Sequence, residues 1–419
     1  MNSLTEAQKK EFNEILDLLG ETLDITKSQF EAAVKSYNAV GSWLSRPESL
    51  LAPYKPEILT QGSFLLGTMI QNINPNDDID IDLVCQLIGK RADWTQYDVK
   101  KIVGDELKKH GIYNKLLDIP DGRRCWTLEY RKASNDEKEK YHMDILPSIV
   151  SHGYELLIEK AYSFNGFQDV DELAIRITDK QRDDYFSEVM HDQWLKSNPF
   201  GYGKWFFDQA KLSFSKAILL SESVKPVPEF KSKKLPLQRI VQILKRHRDM
   251  MFSGDDNKPI SIIITTLAAK AYNKESDVFT GLINAVRNMS SYIGERYSPE
   301  HGRIIKWIEN PVNPEENFAD KWPEHPEREK NYYKWQYQLE QDLIEFNSRV
   351  GSGLGELQKS FSNSFGQTVS EKVFEQYGNS MRHIRESGRL RMERGTGILG
   401  VSAGLPVKNH NFEGNHECK

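Results

Sequence analysis

Apolar residues at helical spacing open the chain: Phe12, Ile15, Leu16 and Leu19 share one face of a predicted helix. A second helix is predicted from Ser28, where Ser28 and Glu31 make a Ser-x-x-Glu capping box. Phe30, Val34, Tyr37 and Trp43 line its apolar face, which ends near Arg46-Pro47. The period then changes. Asp78, Asp80 and Asp82 alternate with Ile79, Ile81 and Leu83, and the run continues apolar through Val84 and Cys85. Such alternation predicts a strand with carboxylates on one face and aliphatic side chains on the other. A helix around Val99 to His110 follows, then strands at Cys125 to Tyr130 and Tyr141 to Leu146 joined by the charged loop Lys132 to Lys140. The second of these strands carries Asp144 between Met143 and Ile145.

Beyond Pro147 the pattern is mainly helical, with helices predicted at Arg182 to Leu195, from Lys204, and at Leu237 to Met251, Ile260 to Tyr272, Phe279 to Tyr297, Tyr332 to Asn347 and Ser370 to His383. Asn310 to Arg328 reads as irregular, and the Gly-rich last 25 residues as a mobile tail. Lys225 to Lys234 reads as a connection, so the expected organisation is a catalytic lobe over 1–224, a helical lobe over 225–395 and a tail over 396–419.

Composition narrows the chemistry. With 419 residues, 38% hydrophobic and 28% charged, the chain is long enough for two globular domains and is not a disordered protein. No stretch of about 18 apolar residues suggests a membrane span, and the amphipathic start lacks a signal-peptide layout, so a cytoplasmic protein without membrane attachment is expected. Three widely spaced cysteines (Cys85, Cys125, Cys418) form no C-x-x-C pair, which argues against a disulfide framework or zinc cluster. A formal net charge of −5 argues against strong nucleic-acid binding.

Like charges crowded on one strand face are unfavourable without a cation between them. An EF-hand-like calcium loop fits poorly, because its sixth position would be Leu83 instead of Gly and its twelfth Gly89 instead of Glu. Nucleotidyl transfer suits the pattern better: two divalent ions roughly 3.5 to 4 Å apart stabilise the attacking and leaving oxygens. Asp80 and Asp82 at i and i+2, with Asp144 from a second strand, have the disposition to hold such ions, although Asp78 could replace Asp82 as the partner of Asp80. Upstream, the Gly62-Ser63 turn would bring backbone N–H groups to a triphosphate at a helix N-terminus. Trp205, Phe206 and Phe207 read as core in preference to a base-stacking platform.

Taken in order, Gln61-Gly62-Ser63-Phe64, Gly67-Thr68, Asp80-Ile81-Asp82-Leu83-Val84-Cys85 and Met143-Asp144-Ile145-Leu146-Pro147 resemble the polymerase-beta-like nucleotidyltransferases. More narrowly the chain resembles the bacterial cGAS/DncV-like enzymes (CD-NTases) of CBASS anti-phage systems, a likeness that continues through Ser197-Asn198-Pro199, Leu237 to Asp249, Pro259-Ile260-Ser261 and Glu316 to Trp322. The resemblance implies an α+β nucleotidyltransferase fold, a mixed-sheet lobe and a helical lobe with nucleotides held in the cleft between them. It implies a metal pair on Asp80 and Asp82, Asp144 as third carboxylate, Gln61, Gly62 and Ser63 at the nucleotide, and two Mg²⁺ ions, with Mn²⁺ as an alternative. By position in related enzymes, Lys245 and Ser261 would contact the donor triphosphate; a Lys charge and a hydroxyl at a helix N-terminus both suit phosphate, while the run Lys245 to Arg248 by type also reads as a solvated helix face. The implied activity is synthesis of a cyclic di- or trinucleotide from ATP, GTP or both. The segment His410 to Gly414 resembles tails presented to ubiquitin-conjugation-like accessory proteins. Two competing functions are an RNA- or protein-directed nucleotidyltransferase and a catalytically silent nucleotide-binding subunit.

Overall fold

Among the described residues, two ten-residue strands and four short ones make a mixed sheet, and helices cover its two faces. The computed structural model describes the chain except residues 1–3, 74–78, 131–140, 164–168, 212–229, 231–232, 351–352, 395–396, 398, 402–403 and 408–419. The chain divides into two units, neither contiguous in sequence: one comprises 24–238 and 293–320, the other 1–23, 239–292 and 321–419. The chain passes between these units four times, after residues 23, 238, 292 and 320, whereas the expected organisation has boundaries after 224 and 395. Residues 225–229, 231–232, Asp78, the 132–140 loop and the 410–414 motif fall outside the described residues.

In the sheet-bearing unit, the strands are β1 (Glu57–Thr60), β2 (Ile79–Ile88), β3 (Trp126–Glu129), β4 (Tyr141–Val150), β5 (Ile175–Ile177) and β6 (Leu195–Ser197). The order is β1-β2-β4-β5-β6, with β3 also on β4. β2 and β4 run parallel and the other pairings are antiparallel. β3 pairs with β4 up to Ile145 and β5 from Ser148; Pro147, which has no N–H to donate, falls between the two. The alternation read in β2 holds. Ile79, Ile81, Leu83, Cys85 and Leu87 enter one core with Met143, Ile145, Trp126 and Leu128. Val84 and Leu146 enter a second core with Leu59, Ile175 and Phe200.

The helix Lys27–Leu44 buries Ala33, Tyr37, Val40 and Leu44 at 4-3-4 spacing. Its capping box is Thr26 with Gln29, not Ser28 with Glu31: extended Thr26 accepts from the Gln29 N–H while the Gln29 side chain returns to the Thr26 N–H, leaving Ser28 inside the first turn. The helix expected over 182–195 is absent. Arg182 chelates Asp184 and also donates to the Gln193 carbonyl, which holds the segment in turns before β6. The helix expected to run to Tyr297 ends at Asn288, and Gly294–Ser298 instead pairs with Arg303–Trp307 as a hairpin. Within the segment read as irregular, Asn313–Asn317 pairs with Glu309–Asn310. Cys85 is buried in the core as expected, and Cys125 is half-buried just before β3.

One ion cluster ties the ends of β3 and β5 together. Asp179, only 1% exposed, accepts from Arg123 Nε and its terminal nitrogen (2.6 and 2.7 Å), Arg124 Nε (2.9 Å) and the Gln181 N–H (3.0 Å). Burial alone would raise the carboxyl pKa, but the Arg123 bond, helped by Gln181 and Arg124, holds it below the ordinary range. A depressed carboxyl stabilises the fold above its unfolded pKa of about 4 and loses that contribution as pH falls through the folded value. Asp179→Asn is expected to cost about 3 kcal/mol, the low end for a broken buried pair because both guanidiniums still reach water. Thermal melts against pH check this: the gap to wild type should be widest above about pH 4 and close in acid. A gap that is constant down to pH 2 would assign the cost to packing.

The other unit is helical: Glu6–Leu23, the part of Pro236–Met251 from Arg239 onward, Ser261–Ala271, Val278–Asn288, Pro326–Arg349, Leu354–Phe365 and Gln367–Glu386. Phe12 from the first helix packs edge-on against Phe279, Phe346 and Phe361, with centroids 5.0 to 6.4 Å apart. In the segment read as a mobile tail, Leu399–Gly400 and Leu405–Pro406 both pair with Arg391–Met392. Among the described residues no helix is long and apolar enough to cross a membrane.

Candidate active site

The parallel register of β2 and β4 sets Asp82 directly beside Asp144 and Asp80 beside His142. Register partners on neighbouring strands project from the same face, and residues two apart share it. Asp80, Asp82, His142 and Asp144 therefore lie together, and the Asp80 carboxylate contacts His142 Nε2. On the other side of β4, Thr127 of β3 is the register partner of Asp144, and its hydroxyl donates to Asp144 Oδ1. The result is a row across three strands, Thr127, Asp144, Asp82. Exposure falls along β2 toward the core: the Asp80 side chain is 73% exposed, Asp82 is half-buried, and Val84 is fully buried. The acidic face is the polar rim of a sheet surface that turns apolar within two residues.

The row ends on a glycine. β1 pairs antiparallel with β2, and the chain leaving it at Gln61 donates its N–H to the Asp82 carbonyl at 2.9 Å. Gly62 follows at φ +57°, and a Cβ placed on it would stand 2.4 Å from Asp82 Oδ2. Two independent constraints, a left-handed backbone and the approach of a carboxylate, thus disfavour a side chain there. Gly62–Leu66 is a helix of five residues only, closed by Gly67 at φ +65°. So short a helix has little macrodipole, so any phosphate held at this turn would have to be held by its backbone N–H groups rather than by a helix terminus. Ser63 is half-buried at the start of the same turn.

Burial pushes the Cys125 thiol up to about 12, with the charges of Asp144 and Asp82 adding to the effect. Cys125 therefore stays a neutral thiol beside the carboxylates. Among the described residues no three His, Cys, Asp or Glu side chains close into a ready metal cage. Magnesium does not require one, since it takes one or two carboxylates and completes its octahedron with water and substrate phosphate. Adjacent Asp82 and Asp144 fit that demand.

Lys245 and Ser261 belong to the helical unit. The basic run is not a solvated face: Lys245, Arg246, His247 and Arg248 are each 6% exposed or less. Arg248 donates to the Ser261 hydroxyl (3.0 Å) and the Pro259 carbonyl (2.9 Å), and His247 meets Asp342 at 2.9 Å. On the Pro199–Ala210 helix, Phe206 and Phe207 are buried, as the core reading expects, whereas Trp205 is half-buried. Two residues at the site, His142 and Thr127, went unnoticed in the sequence. His142 precedes Asp144 by two and so repeats the spacing of Asp80 and Asp82, which was a usable signal; Thr127 becomes visible only once the β3–β4 register is known.

Residues 56–147 match the family described as "Cyclic GMP-AMP synthase DncV-like, nucleotidyltransferase domain". A c-di-GMP synthase of Roseivirga ehrenbergii is 26% identical over 423 residues, 98% of this chain and 99% of its own length. The cyclic dinucleotide synthase CdnG of Bradyrhizobium diazoefficiens is 23% identical over 406 residues, 89% of this chain and 86% of its own. The structure of the Bradyrhizobium CD-NTase CdnG in complex with GTP superposes with a TM-score of 0.62 at 19% identity, covering 87% of this chain and 97% of that one. The fold is that of the Bradyrhizobium protein.

Proposed function

Since residues 56–147 match the DncV-like nucleotidyltransferase family, we propose that this protein is a Mg²⁺-dependent cyclic dinucleotide synthase that consumes ATP, GTP or both and releases pyrophosphate. The observation that carries the reading is the in-register pairing of Asp82 with Asp144 against a glycine turn, in a chain matched almost end to end by a relative named as a c-di-GMP synthase. Asp80, Asp82 and Asp144 would hold two Mg²⁺ ions. Bound there, the metal would supply Lewis-acid stabilisation of charge on the transferring phosphoryl group and the departing pyrophosphate. Asp144, on the strand opposite the i, i+2 pair, takes the role of orienting the attacking ribose hydroxyl and drawing off its proton. In the turn at Gln61, Gly62 and Ser63 the Gln61 N–H is taken by the Asp82 carbonyl, so the Gly62 and Ser63 N–H groups would face the triphosphate, while Lys245 and Ser261 are assigned to the donor phosphates. The product would act as a second messenger in anti-phage defence.

The test is incubation of the purified chain with labelled ATP and GTP, Mg²⁺ or Mn²⁺, followed by phosphatase and separation of products. A phosphatase-resistant small product that is absent in Asp80→Ala and Asp82→Ala supports the synthase; label that enters only RNA or protein would overturn it. Lys245→Ala is expected to raise KM for the nucleotides several-fold with a smaller effect on kcat, as loss of ground-state phosphate binding does. A lower kcat at unchanged KM would remove Lys245 from that role.

A further inference from the structure

Of the three side chains in the row, one has no chemistry assigned to it. Thr127 sits in the middle of β3, and its neighbours fix it from behind. Trp126 and Leu128 point the opposite way into the core, 6% and 0% exposed, and the Trp126 indole donates to the Lys100 carbonyl at 2.8 Å. The Thr127 carbonyl accepts from the Asp118 N–H at 2.9 Å. With its backbone held on that side and its register to Asp144 set on the other, the Thr127 hydroxyl has a fixed position from which to donate to Asp144 Oδ1.

A carboxylate on a strand rotates about two single bonds, and Asp144 stands beside a second negative side chain, Asp82, that repels it. A hydrogen bond from Thr127 opposes that repulsion from the far side and commits one of the two Asp144 oxygens to a protein partner. The chemistry assigned to Asp144 then falls to the other oxygen, held in one orientation. We infer that Thr127 is the positioning residue for Asp144, setting which oxygen the third carboxylate presents to the metal and the attacking hydroxyl. The inference rests on the proposed role of Asp144. Hydrogen-bond partners of metal-binding carboxylates typically contribute about 10- to 100-fold to metal affinity or activity.

The experiment compares the full-length wild type with Thr127→Val, Thr127→Ser and Asp144→Asn. Mn²⁺ binding is followed by electron paramagnetic resonance of the free ion, in the presence of a non-hydrolysable ATP analogue, and dinucleotide formation is measured alongside. Thr127→Val keeps the shape and β-propensity of the side chain and removes only the donor. It is expected to weaken Mn²⁺ binding about tenfold or more and to lower kcat with KM for ATP little changed. Thr127→Ser, which restores the hydroxyl without the methyl, should recover both. Wild-type Mn²⁺ affinity and kcat in Thr127→Val would overturn the positioning role. So would a Thr127→Ser variant as impaired as Thr127→Val, because the methyl contact would then be the cause. An active Asp144→Asn variant removes the underlying role of Asp144 itself, whereas an inactive Asp144→Asn beside an unaffected Thr127→Val removes only the role of Thr127.

Discussion

Asp82→Asn and Asp144→Asn are each expected to abolish dinucleotide formation without unfolding the protein. The two carboxylates are register partners on adjacent parallel strands, so each replacement removes one of two like charges held side by side and relieves repulsion in the apo protein. Melting temperature should therefore hold or rise. Turnover moves the other way. Metal-held charge stabilisation contributes several kcal/mol to a transferring phosphoryl group, and about 4 kcal/mol corresponds to on the order of 10³-fold in rate. An amide keeps the shape of the carboxylate but carries no charge to hold a divalent ion, so neither raised nucleotide nor raised Mg²⁺ should restore the rate. Asp80→Asn tests the outer position of the same face, where the side chain is 73% exposed and meets His142. Activity within tenfold of wild type in Asp144→Asn, measured at saturating nucleotide and Mg²⁺, would remove it as the third carboxylate. Inactivity accompanied by a lower melting temperature would point to a structural role instead.

The sequence carried the acidic strand because period-2 alternation is local: Ile79, Ile81 and Leu83 entered one core while Asp80 and Asp82 took the other face. It also carried the order of the site segments, through which the likeness to DncV-like nucleotidyltransferases could be read before any geometry was known. Three things lay beyond it. Strand neighbours are non-local, so nothing in residues 126–129 announced that Thr127 would stand beside Asp144. Short sheet elements such as Ile175–Ile177 and Leu195–Ser197 carry too few residues for a period, and the second was read as a helix end because Arg182, Asp184 and the Gln193 carbonyl, rather than apolar spacing, decide the conformation. Basic residues look solvated by type, yet Lys245 to Arg248 are buried; Pro259 and Ser261 supply partners to Arg248 and, from far along the chain, Asp342 supplies one to His247. The discontinuous division into units has the same origin: Phe12 packs against Phe279, Phe346 and Phe361, all far along the chain.

Gly62→Ala is expected to lower activity by on the order of 10²-fold at a modest cost in stability, because displacing a catalytic group by about 1 Å can cost that much. The added Cβ would lie 2.4 Å from Asp82 Oδ2, well inside contact distance, and the backbone is at φ +57°. Of the two neighbours, the backbone is pinned by the bond from the Gln61 N–H to the Asp82 carbonyl, whereas the carboxylate sits at the end of a side chain that can rotate about its single bonds and will yield first. The clash is therefore relieved by moving the group that the proposed chemistry needs in place. The left-handed conformation itself costs an alanine roughly 1 to 3 kcal/mol, so the protein should still fold. Gly67→Ala separates strain from displacement. Gly67 sits at φ +65° and its Cβ would meet Gln238 Nε2 at 2.6 Å, a similar backbone and a similar crowding against a side chain that is not part of the carboxylate row. The two variants should lose comparable stability in denaturant titrations, while only Gly62→Ala should show the large fall in kcat. Equal losses of activity in both would mean that strain in the Gln61–Gly67 turn, and not the position of Asp82, governs the rate.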